Sequence, residues 1–165
     1  MTLVIVAGLV AGALPVVSRA SPVSTVPLVD CGQIIGGMYS APRVKNGYKI
    51  VLDSVAVIPH IAQPPVAVTA APWTHWLKSP LIMRSGKQQI EVSVPKAWRN
   101  RAAVTWGNSG IVSALRVAPC PSLTDGWHAY AGGFYLRSRS ACVPLVIRMG
   151  TRTTTVRFGI GRSCG

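Results

Sequence analysis

Val156, Phe158 and Ile160 alternate with Thr155, Arg157 and Gly159. A period of two marks a strand with one face on a core and the other in water. Ile90, Val92 and Val94 alternate with Glu91 and Ser93 in the same way. Beyond residue 20 no window of helical length repeats apolar side chains at i, i+3 and i+4, which argues against a helix bundle or an α/β sheet. Strands are expected over 48–58, 81–84, 90–94, 102–106, 111–117, 132–137, 143–149 and 153–160, with 66–68 as a short addition. Turn signals such as Asn46-Gly47 and Gly107-Asn108-Ser109-Gly110 separate them. Residues 95–101 fit a single helical turn. Residues 59–80, with five prolines and the cluster Trp73-Thr74-His75-Trp76, read as a long loop. The expectation is an all-β chain, an Ig-like β-sandwich of about eight or nine short strands.

Residues 3–17 are apolar or Gly/Pro throughout and are followed by Ser18-Arg19-Ala20. An apolar stretch ending in a small-x-small site reads as a secretory signal peptide, cleaved after Ala20. Fifteen residues fall short of the ~20 needed to cross a bilayer as a helix. No Lys or Arg precedes the stretch, a departure that a start further upstream would remove. The expected organisation is a signal at 1–20, a Pro/Ser-rich mature N-terminus at 21–47 and a single sandwich domain at 48–165. Cleavage leaves 145 residues with a net charge of +12, since Arg19 leaves with the signal. A domain of that size buries about two thirds of its unfolded surface.

An exported chain with an even set of cysteines, Cys31, Cys120, Cys142 and Cys164, points to two disulfides. A zinc site would show close pairs such as C-x2-C, whereas here the nearest cysteines are 22 residues apart. All three pairings stay open. Joining Cys31 to either late cysteine would constrain the unfolded chain most.

The runs 96–108 (Lys-Ala-Trp-Arg-Asn-Arg-Ala-Ala-Val-Thr-Trp-Gly-Asn), 129–135 (Ala-Tyr-Ala-Gly-Gly-Phe-Tyr), 142–145 (Cys-Val-Pro-Leu) and 156–164 (Val-Arg-Phe-Gly-Ile-Gly-Arg-Ser-Cys) occupy the C-terminal half. In combination they resemble a group of small exported proteins of actinobacteria that are themselves functionally uncharacterised. The resemblance implies export and a disulfide-bearing β fold. It carries over no activity and no catalytic residue.

The inventory for catalysis is thin. The acids after residue 20 are Asp30, Asp53, Glu91 and Asp125, and the histidines are His60, His75 and His128. No nucleophile elbow, zinc-protease helix or phosphate-cradling loop is present. The one arguable acid–base set is Asp125 and His128 with Tyr130, for which a turn capped by aromatic residues is the simpler reading. The histidines show no metal-ligand spacing, and neither a metal nor a cofactor is expected.

Charge speaks more clearly. Seventeen Lys and Arg stand against four Asp and Glu, which draws polyanions at low salt. The basic residues are dispersed, as on a solvated face, and no motif for specific nucleic-acid recognition accompanies them. Trp106 is expected in the core. Trp98, flanked by Lys96, Arg99 and Arg101, is the best candidate for an aromatic group within a basic ligand-binding patch. These features favour an exported, non-enzymatic binding or structural domain at or outside the cell envelope. Its expected partners are anionic cell-wall polymers or glycans, with no membrane contact after signal cleavage. The alternatives are a small secreted hydrolase using Asp125 and His128, and a secreted interaction or inhibitor domain presenting 73–76 as a loop.

Overall fold

A computed structural model describes residues 26–38, 42–86, 88–121 and 126–164. The signal segment 1–20 and Asp125 lie outside the described residues. Strand takes 54% of the structure and no helix reaches seven residues, so the fold is all-β.

The described residues open with β1 (Leu28–Val29) and β2 (Ile34–Met38), then form the hairpin of β3 (Lys49–Val51) and β4 (Val55–Val57). After β5 (His60–Ile61) come β6 (Val66–Ala70), β7 (Trp73–Lys78), β8 (Leu81–Arg84) and β9 (Ile90–Ser93). A 3-10 turn at Lys96–Trp98 leads into β10 (Ala102–Trp106) and β11 (Ala114–Val117). The last four strands are β12 (Trp127–Tyr130), β13 (Gly132–Leu136), β14 (Ala141–Met149) and β15 (Arg152–Ile160).

These strands form three sheets. A six-stranded sheet runs β1-β11-β9-β14-β15-β5, a five-stranded sheet β2-β12-β8-β4-β3, and a four-stranded sheet β10-β13-β7-β6. All three contribute to one core. Val92, Leu145, Ile147 and Phe158 come from the first, Met83 and Tyr130 from the second, and Val104, Trp106, Phe134 and Leu136 from the third. The alternation read from sequence holds where it was clearest: Val143, Leu145, Ile147 and Met149 are buried, while Val146 and Arg148 lean outward. Trp106 is in the core as expected, edge-on to Phe134 at 5.8 Å between ring centres. Its indole N–H donates to the Ser79 carbonyl at 2.8 Å, so burial leaves no orphaned donor.

Three expected elements change. Residues 48–58 are not one strand but a hairpin, because Leu52 and Asp53 both adopt positive φ, 50° and 58°. Ser54 N–H then bonds the Val51 carbonyl at 3.1 Å, closing a tight turn within the three-residue connection Leu52-Asp53-Ser54. Arg152 holds that turn from the far end of β15, donating to Asp53 Oδ2 at 3.0 Å and to the Leu52 carbonyl at 2.8 Å. Residues 73–76 are not a loop either. They belong to β7, paired with β13 on one side and β6 on the other. The segment after Gly126, read as a turn, is β12, the strand between β2 and β8. The strand count therefore exceeds eight or nine, reaching fifteen among the described residues.

Cys31 pairs with Cys120 and Cys142 with Cys164. The first pair ties the turn after β1, where Val29 is fully buried, to the segment that follows β11. Such bonds persist in oxidising compartments, which sets the chain in an oxidising, extracytoplasmic environment. Among the described residues no helix is long and apolar enough to cross a membrane.

Candidate functional site

Strand ends from two sheets meet at one corner. β10 begins at Ala102 opposite Leu136, where β13 ends, and β15 ends at Ile160 opposite Ala141, where β14 begins. The residues just outside these ends are Arg101, Arg137 and Arg162. Sheet pairing continues one residue further, with Arg137 N–H donating to the Arg101 carbonyl at 3.2 Å. The turn after Arg137 then crosses from the four-stranded sheet to the six-stranded one. It is tightened by the Ser138 hydroxyl, which donates to the Ser140 carbonyl at 2.8 Å.

The three arginines, with Trp98, Ser138 and Ser140, line a depression of about 490 Å³ that Cys142 helps to close. That volume suits a small ligand or one segment of a larger one. The depression is open, since all three guanidinium side chains are exposed while Trp98 is half-buried. Trp98 packs against the core with its inner edge and offers its face to the Arg101 guanidinium, 5.1 Å from the ring centre. The Arg137 guanidinium lies 5.9 Å from the Trp73 ring centre. Each indole face attracts the cation above it and so narrows the rotamers of a long side chain before any ligand arrives.

The electrostatics favour anions. No carboxylate lines the depression, and among the described residues Arg101, Arg137 and Arg162 have no acidic partner. Arg152, at the other end of β15, has its guanidinium engaged by Asp53. Three like charges that line one depression repel one another. That repulsion is relieved when an anion binds among them.

The sequence-based candidates divide. Trp98 and Arg101 line the depression, as expected of a basic aromatic patch. Lys96 is exposed on the 3-10 turn but does not line it. Arg99 turns its Nε toward the Val94 carbonyl, 3.4 Å away, and does not line it. Arg137 and Arg162, which complete the site, were not anticipated. Their signal is positional, because each falls within two residues of the end of an alternating strand.

His128 sits in the middle of β12, opposite Gly37 and Met83. Its Nε2 is buried without a hydrogen-bond partner. Among the described residues no carboxylate, hydroxyl or thiol is hydrogen-bonded to it, and Asp125 lies outside them. Tyr130, the third member of that set, is buried with its hydroxyl 3.3 Å from Cys120 Sγ. Burial, and secondarily the negative charge of Asp30, raise its pKa above the ordinary tyrosine value. Among the described residues no three His, Cys, Asp or Glu side chains group as metal ligands.

Comparison of the chain with protein families, with curated proteins and with solved structures returned no match.

Proposed function

We propose that this chain is an exported, non-enzymatic binding domain that acts at or outside the cell envelope by holding anionic groups of wall polymers or glycans in the Trp98–Arg101–Arg137–Arg162 depression. The observation that carries this reading is the cluster of three guanidinium groups, without acidic partners among the described residues, around a half-buried indole. Arginine forks suit phosphate and carboxylate oxygens, and an indole face suits the apolar face of a sugar ring. The net charge of +12 after cleavage supports long-range attraction to such material. The apolar N-terminal segment, the two disulfides and the resemblance to small exported proteins support delivery outside the cytoplasm.

Export is checked by the intact mass of the secreted protein before and after reduction. The expected species begins at Ser21 and gains four hydrogens, for two disulfides. An uncleaved chain would count against export. Binding is tested by retention of the disulfide-intact protein on purified cell wall. Retention at low salt should be lost in ~0.5 M salt, where the screening length falls to a few ångströms. The R101A/R162A variant should bind about tenfold more weakly at low salt. No retention of the wild-type protein, or equal retention of the variant, refutes the reading.

A further inference from the structure

The depression lies at one end of the β14–β15 ribbon, where Cys142 lines it and the chain at 162–164 passes over the outer side of Gly159. On the outer face of that ribbon Cys142 lies opposite Gly159, Pro144 opposite Arg157, Val146 opposite Thr155, and Arg148 opposite Thr153. Arg157, Thr155, Thr153 and Arg148 are all exposed. The opposite face of the same ribbon carries Val143, Leu145, Ile147, Val156 and Phe158 into the core, so these outward side chains are fixed in direction by the pleat. From Cys142 to Arg148 is six residues of extended chain, about 20 Å at roughly 3.4 Å per residue. Arg162 stands at one end of this track, Arg157 within it and Arg148 at the other end. On the neighbouring strand β9, Glu91 lies opposite Arg148 on one side and opposite Arg116 of β11 on the other.

We infer that the ligand is a linear phosphodiester-linked polymer of polyol or sugar units, anchored in the depression and running along the outer face of β14 and β15. This inference rests on the anion-binding reading of the depression and extends it from one group to a chain. Three features specify the polymer. The cations of the depression and track are arginines, whose planar fork binds phosphate oxygens in pairs. Thr155 supplies a hydroxyl between Arg157 and Arg148, and Thr153 one beside Arg148, which suit polyol and sugar oxygens. The track itself holds no aromatic ring on which successive bases could stack, and single-stranded nucleic acid binding relies on such platforms.

The test uses the full secreted, disulfide-intact protein and fluorescent glycerol-phosphate oligomers of two lengths. One has about three phosphates and fits the depression, and the other has about twelve and spans the track, with affinity read across a salt series. The long oligomer should bind at least tenfold more tightly than the short one. In R148A/R157A the ratio of the two affinities should fall to about one, and the slope of log affinity against log salt for the long oligomer should decrease by ~1.4, the share of two phosphate contacts. In R101A/R162A both lengths should weaken. Melting curves of the variants should match the wild type, since all four side chains are exposed.

Equal binding of the two lengths, or a length advantage that survives R148A/R157A, overturns the track and leaves the depression as the anion site. Failure of both lengths to bind overturns the phosphodiester assignment, and the anion-binding reading falls with it only if the protein is also not retained on purified cell wall. If a single-stranded oligonucleotide or a polyuronate of equal charge binds as tightly, with the same dependence on Arg148 and Arg157, the assignment to a phosphodiester polymer is wrong.

Discussion

The two disulfides should rank in opposite orders for stability and for binding. Cys31–Cys120 closes a separation of 89 residues and Cys142–Cys164 one of 22. On chain-entropy grounds these restrict the unfolded state by about 4.6 and about 3.4 kcal/mol at 25 °C. Removing the first as C31A/C120A should therefore cost ~1.2 kcal/mol more than removing the second as C142A/C164A. Two details widen the gap. Cys120 is buried and its sulfur meets the Tyr130 hydroxyl, so its loss strips a buried polar group of its partner. The segment spanned by Cys142–Cys164 is already a long hairpin, and any hairpin that persists in the unfolded ensemble lessens the effect of the shorter link.

Binding should run the other way. Cys142 lines the depression and Cys164 follows Arg162 by two residues. Opening that bond frees the chain end that holds one of the three cations, and anion affinity should fall by about tenfold, the ~1.4 kcal/mol expected of one positioned charge contact. Opening Cys31–Cys120 should leave affinity within about twofold, since neither cysteine lines the depression. Urea unfolding gives the stabilities, and binding of the short glycerol-phosphate oligomer gives the affinities. If C142A/C164A is the less stable variant, or if it binds as tightly as the wild type, the reasoning fails.

Three further outcomes are expected. Gly133→Ala should abolish folding or cost at least ~3 kcal/mol, because a Cβ there would run into the Leu77 carbonyl oxygen where β13 meets β7; a melting curve near that of the wild type would refute the close approach. The raised Tyr130 pKa keeps its phenol neutral in the fold, so its contribution is fully present below about pH 10, the unfolded value, and is lost as pH rises through the folded value. Y130F should flatten that alkaline loss in a pH series of urea midpoints, and an unchanged alkaline limb would count against it. Asp53→Asn should shift stability by less than ~1 kcal/mol, since the Asp53 side chain is 84% exposed and the pair with Arg152 lies at the surface; a larger loss measured in urea would show that the turn depends on that charge.

Strands with one wet and one dry face were readable from residue order alone, because alternation is a local property. That is why β9, β14 and β15 stand close to where they were expected. The β3–β4 reversal was not readable, because no Gly or Asn marks it. β-branched residues run up to and beyond Leu52, and the positive φ angles are supported by Arg152 from about a hundred residues away. Prolines and an Asp-Gly pair concealed β7 and β12, whose stability comes from lying between two partners rather than from their own composition. The same division separates the two halves of the site. Trp98 and Arg101 are neighbours in sequence and announced themselves as a basic aromatic cluster. Arg137 and Arg162 join them only because β13 ends beside the start of β10 and β15 ends beside the start of β14, and a register between distant strands leaves no trace in either strand alone.

The disulfides join each cysteine to the next one along the chain, the first to the second and the third to the fourth. For a chain delivered across a membrane amino end first, this pairing matches the order of arrival. Cys31 enters the oxidising side alone, and the first thiol to join it is Cys120, its proper partner. Cys142 then waits only for Cys164. An oxidant that simply joins thiols as they emerge would produce the native pairs, so maturation should proceed without an isomerase to rearrange them.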